Sequence, residues 1–122
     1  MRGIMKEFML FTRSEADYLD KMSPEDQQKH IEQFATYIGD LIRQGKLKSA
    51  QPLDSVSKIV SGKTGLVKDG PFNETKEVIG GYFHILAADL DEAVQIAMAS
   101  PLVRNGEGEI EVRPIRKLEG IN

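Results

Sequence analysis

Two one-sided helices, each introduced by its own capping signal and set between strand-like runs, constrain this chain more than any other feature. Ser23-Pro24-Glu25-Asp26 supplies an N-cap hydroxyl, a proline at the first helical position and acids in the first turn, where the helix dipole favours them. Ile31, Phe34, Ala35, Ile38, Leu41 and Ile42 then recur at three- and four-residue spacing as one apolar stripe, and Gly45 supplies the stop. A helix over 24–44 follows. Asp89-Leu90-Asp91-Glu92 is a capping-box variant that opens a second helix through Leu90, Ala93, Val94 and Ala97. Ser100-Pro101 ends it, because a residue before proline avoids helical geometry.

Strands fill the intervals. Residues 6–12 are a short apolar run, read as a buried strand, and 47–53 form a second that ends at Pro52, where a missing N–H suits an edge. Residues 56–60 and 64–68 flank Ser61-Gly62-Lys63 and predict a β-hairpin. Residues 78–88 are apolar almost throughout and read as a central strand, with a bulge or close backbone approach at Gly80-Gly81. Residues 109–116 alternate charged and apolar as a half-buried strand does, and 118–122 are expected to fray. The order β-α-β-(hairpin)-β-α-β is a ferredoxin-like split βαβ with an inserted hairpin, an α+β class, expected as a single domain over 1–122. Both helices then cover one sheet face only; Tyr82, His84 and Leu86 share one face of their strand and Phe83, Ile85 and Ala87 the other, both too apolar to meet water, which calls for a homodimer through the sheet faces.

Composition removes several function classes. The absence of cysteine excludes a disulfide framework, a thiolate zinc site and a cysteine nucleophile. Sixteen Lys+Arg against 19 Asp+Glu leave a net charge of −3 with the basic residues scattered, so nucleic acid is not an expected partner. Residues 1–11 do not read as a signal peptide and no apolar run is long enough to span a membrane, which points to a cytoplasmic protein. There is no Gly-rich phosphate loop, no His-x-x-x-His pair and no Gly-x-Ser-x-Gly elbow. Neither metal nor cofactor is expected.

Asp69-Gly70-Pro71-Phe72-Asn73-Glu74-Thr75-Lys76-Glu77, Gly80-Gly81-Tyr82-Phe83, Asp89-Leu90-Asp91-Glu92-Ala93 and Ile110-Glu111-Val112-Arg113-Pro114 together resemble the DGPF family, within the wider group of YCII-related domains. The resemblance covers nearly the whole chain. It implies a ferredoxin-like fold assembled as a dimeric α+β barrel through open sheet faces, and it brings no known reaction. Some relatives act as small enzymes, with a proposed dyad of a histidine on the first helix and the aspartate of an Asp-Pro pair after the second. Here the histidine position falls at Phe34, with His30 one turn earlier, and the pair reads Ser100-Pro101. Serine cannot charge-balance an imidazole as a carboxylate does, so the resemblance does not carry the dyad over.

His84 is the leading catalytic candidate, because it interrupts an apolar strand; its structural alternative is a bond to Tyr82, Glu111 or backbone. His30, at the edge of the helix stripe, reads as a partly exposed structural residue. Asp69, Glu74 and Glu77, with Lys76 as counter-charge, are candidates for ringing a cation or holding a polar ligand, against a turn in which Asp69 caps its own backbone. Glu111 and Arg113 share a strand face, where Arg113 can bind a carboxylate or the two can join ion pairs at a dimer seam. Ligand-binding candidates are therefore His84, Tyr82, Asp69, Glu111 and Arg113. Two functional readings follow: a dimeric, non-catalytic small-ligand-binding or accessory module first, and second an acid/base enzyme acting on a small polar or aromatic molecule.

Overall fold

The computed structural model describes residues 4–63, 65–70 and 77–122. Its elements run β1 (Lys6–Glu15), α1 (Pro24–Arg43), β2 (Leu47–Pro52), β3 (Ser57–Ser61), β4 (Leu66–Gly70), β5 (Glu77–Ala87), α2 (Leu90–Met98), α3 (Pro101–Arg104) and β6 (Gly108–Pro114). Four strands form an antiparallel sheet in the order β2-β5-β1-β6, and β3 and β4 pair as a separate ribbon. This is the α+β split βαβ with its inserted hairpin. β5 is central, and β2, which ends at Pro52, is an edge.

The caps form as the sequence dictates. Ser23 Oγ accepts from the Asp26 N–H at 3.1 Å, and Asp89 Oδ1 from the Glu92 N–H at 2.9 Å. Gly45 takes a φ of 70° beyond α1, letting the Lys46 N–H reach the Leu41 carbonyl at 2.9 Å. One helix departs from expectation. Ser100-Pro101 ends α2 but also starts α3, with Ser100 Oγ accepting from the Leu102 N–H at 3.3 Å.

β5 carries the expected bulge. Thr12 pairs with Gly81 and Arg13 with Ile79, so Gly80 is the extra residue. Side chains alternate along a strand, so the insertion reverses the parity and puts Val78 on the same face as Phe83, Ile85 and Ala87. Gly81 also allows a close approach, since a Cβ there would lie 2.7 Å from the Gln51 carbonyl oxygen.

The core lies between this face and the helices. Phe8, Leu10, Phe83 and Ile85 from the sheet meet Tyr37 and Leu41 from α1 and Ala93, Ile96 and Ala97 from α2. The Tyr37 hydroxyl, held protonated by burial, donates to the Ile96 carbonyl at 2.6 Å and ties the helices together. The buried line of α1 differs from the apolar stripe read in the sequence: it runs through His30, Phe34, Tyr37 and Leu41, while Ile31 and Ile42 are exposed. Residues 118–122, expected to fray, close a turn in which the Asn122 side chain accepts from the Leu118 N–H and donates to the Arg116 carbonyl.

Candidate functional site

A cleft of about 630 Å³ opens between α1 and the sheet at the end where the bulge lies. Its origin is local. Gly80 and Gly81 bring no side chains to the sheet floor there, and the chain between β1 and α1, including Tyr18, forms the opposite wall. Phe34, Ile38, Phe83 and Leu102 make the lining mainly apolar, and the size suits a small organic ligand.

From α1, His30 joins the lining beside Tyr18. It is 4% exposed and sits edge-on to Tyr18 with ring centroids 5.4 Å apart, and 4.8 Å from the Phe34 ring. Nε2 lies 2.8 Å from the Tyr18 hydroxyl, and Nδ1 lies 2.9 Å from Oε2 of Glu107. The second contact is an ion-pair distance with a bent approach, and neither Nδ1 nor Oε2 has a well-directed hydrogen bond. A lone pair on Nδ1 facing the carboxylate would be repulsive, so the carboxylate favours the proton on Nδ1 and leaves Nε2 to accept from Tyr18. Burial, and then the charge of Glu107, push the Tyr18 phenol up to about 12. Nδ1 of His30 faces Glu107 and Nε2 is bonded to Tyr18; Tyr18 and His30 both line the cleft, and the Tyr18 hydroxyl keeps an acceptor lone pair to spare.

The reading of His30 as a partly exposed structural residue is therefore corrected: it is buried and paired with a carboxylate. Tyr18 and Glu107 were not singled out at all. A signal for His30 was present, because it stands at i, i+4, i+7 and i+11 with Phe34, Tyr37 and Leu41. Tyr18 and Glu107 lie outside regular elements, and only the fold brings them to α1.

Of the candidates chosen from the sequence, His84, Tyr82, Asp69, Glu77, Glu111 and Arg113 are described, and none of these lines the cleft. His84 and Tyr82 are on the open sheet face. The His84 partner is not Tyr82, Glu111 or backbone but Glu7 across the sheet, with Nε2 2.8 Å from Oε1. Glu7 also receives Lys48 at 3.2 Å and Lys117, and these bonds, Lys117 foremost, hold its carboxyl down to about 2. Glu111 pairs with Arg13 at 2.5 Å rather than with Arg113, which is exposed on the same face. Asp69 does not cap a turn: it lies in β4, opposite Lys58 of β3, and its side chain pairs with that lysine. Glu74 and Lys76 fall outside the described residues, as does the 71–76 part of the motif that carries the family resemblance. Among the described residues no three His, Asp or Glu side chains converge as a metal-binding group, and no helix is long and apolar enough to cross a membrane.

Known proteins agree with this fold. The sequence pattern of the YCII-related domain matches residues 5–119. An uncharacterized protein of Rhizobium meliloti (strain 1021) is 44% identical over 55 residues, which are 45% of this chain and 44% of that protein, so the match spans less than half of that relative. The 5-chloro-2-hydroxyhydroquinone dehydrochlorinase of Burkholderia phenoliruptrix AC1100, solved with 2,5-dihydroxybenzoquinone, shares the fold at 14% identity with a TM-score of 0.55, over 95% of this chain and 99% of its own.

Proposed function

The chain belongs to the YCII-related domain family, and from that premise we propose that it takes a small ring-bearing molecule into the cleft and acts on it by proton transfer. The observation that carries the reading is the series Glu107, His30, Tyr18, of which His30 and Tyr18 line an apolar cleft. Tyr18 is the group that meets the ligand. As its oxygen takes a proton from the ligand, its own proton passes to Nε2 of His30, and Glu107 stabilises the imidazolium that results. Run in reverse, the same series donates a proton. The apolar walls keep bulk water from competing for these protons. That the dehydrochlorinase of the same fold acts on a substituted hydroxyhydroquinone supports a planar ring as the ligand shape.

A non-catalytic binding module is the second reading, and one observation favours it: Ser100 stands where relatives place the dyad carboxylate, and its hydroxyl is spent on capping α3. A thermal-shift screen of small ring compounds, repeated on Ala35→Trp to fill the cleft, identifies ligands that bind there. Those ligands are then incubated in D2O. Deuterium incorporation at acidic C–H positions that disappears in Tyr18→Phe supports proton transfer; binding with no exchange leaves the module. If no hit is sensitive to Ala35→Trp, the cleft is not the site.

A further inference from the structure

Among the described residues, the carboxylates and ammonium or guanidinium groups that line the cleft are of one sign. Its outer wall carries Glu15, Asp17, Asp20 and Asp54, all exposed, and among the described residues no lysine or arginine lines it. One of the four is offset from outside, as the Lys21 ammonium lies 3.4 Å from Glu15. Asp17 stands at a φ of 58°, a turn that few residues other than glycine, asparagine or aspartate adopt readily. Behind the inner wall Glu107 adds a further carboxylate against His30. Low-dielectric walls such as Phe34, Ile38 and Phe83 focus the field of rim charges into the opening instead of letting solvent quench it.

We infer that the cleft selects its ligand by charge, admitting neutral or cationic ring compounds and turning away carboxylates and phosphates. The inference rests on the cleft reading above and adds the ligand class to it. A half-buried polar group in the pocket supports the same class. The Tyr18 hydroxyl, with His30 and Glu107 behind it, suits a ligand hydroxyl, carbonyl or ammonium, whereas an anionic group there has no cation to meet among the described lining residues.

The test uses three probes of one shape: benzyl alcohol, benzylamine and benzoate. Binding is read from the chemical shifts of Phe34, Ile38 and Phe83 during titration of the full chain. Benzyl alcohol and benzylamine are expected to shift these resonances at low ionic strength, with benzoate about tenfold weaker. Salt at about 0.5 M should narrow the gap by screening the rim. Asp20→Asn combined with Asp54→Asn, both exposed sites, should narrow it at low salt without loss of fold. Benzoate binding as tightly as benzyl alcohol at low salt overturns the charge selection while leaving the cleft reading intact. If none of the three probes shifts the cleft resonances, the cleft reading falls and the inference falls with it.

Discussion

Glu7 gathers more charge than any other side chain described: Lys117, Lys48 and His84 all bond its carboxylate on the open sheet face. Its carboxyl is thereby held down from 4.5 to about 2. A carboxyl depressed in the folded state stabilises fully above its unfolded value, and that contribution is lost as pH falls from about 4.5 to about 2. Glu7→Gln should therefore be less stable than the parent at neutral pH and show a flatter loss of melting temperature through that window; parallel curves would refute the role. His30 is the other residue whose partners define it. His30→Leu leaves Glu107 and the Tyr18 hydroxyl without their buried partner and should cost about 1–3 kcal/mol, read by urea denaturation. The two histidines also show where residue types alone mislead. His84 draws notice because it breaks an apolar strand, and it faces the side of the sheet that α1 and α2 do not cover; His30 reads as partly exposed at the edge of the apolar stripe, yet it continues the buried line of α1. A histidine's value depends on what the fold sets beside it, and Glu107 lies 77 positions away from His30 in the sequence.

The elements were more legible, since a cap or a period is a local property. Both long helices begin at the serine or aspartate cap read from the sequence, and the paired faces of β5 follow the period of two. Where reading failed, it failed on a signal with two meanings. Ser-Pro opens α1 at Ser23-Pro24, and the same pair at Ser100-Pro101 was read only as a stop; it is both, because proline bars continuation of α2 and suits the first position of α3. Asp69 was assigned to a turn on composition, but strand pairing with Lys58 claims it. The bulge at Gly80-Gly81 was legible because two glycines in an apolar strand have few other uses. Gly81→Ala forces a Cβ to 2.7 Å from the Gln51 carbonyl and must push β2 from β5, at a cost of about 1–3 kcal/mol. Faster hydrogen exchange at the Leu53 N–H, which bonds the Gly80 carbonyl at 2.9 Å, would locate the damage; unchanged exchange and stability would show that the strands yield freely.

In the whole molecule the two sheet faces have different tasks. One is covered by helices and holds the cleft; the other presents Met9, Phe11, Tyr82 and Leu86, half-buried and interleaved with Glu7, His84, Glu111 and Arg113 opposite them in register. The stated expectation is a homodimer through that open face. Large apolar side chains among charged ones on a face the helices leave uncovered suit an interface, and an obligate one buries upward of about 2,000 Å² in total. Light scattering at micromolar concentration should report about twice the 13.6 kDa of one chain. Phe11→Asp tests the face itself. Phe11 lies on the central strand β1, opposite Tyr82 on one side and Glu111 on the other, so a carboxylate there would lose the apolar contact with Tyr82 and set like charge against Glu111 within a two-fold seam. The variant should run as a monomer, yet still bind benzyl alcohol in the cleft, because Phe83 and Gly81 line the cleft from the opposite side of the sheet. A parent chain that scatters as a monomer, or a Phe11→Asp variant that stays dimeric, would place any association elsewhere on the surface.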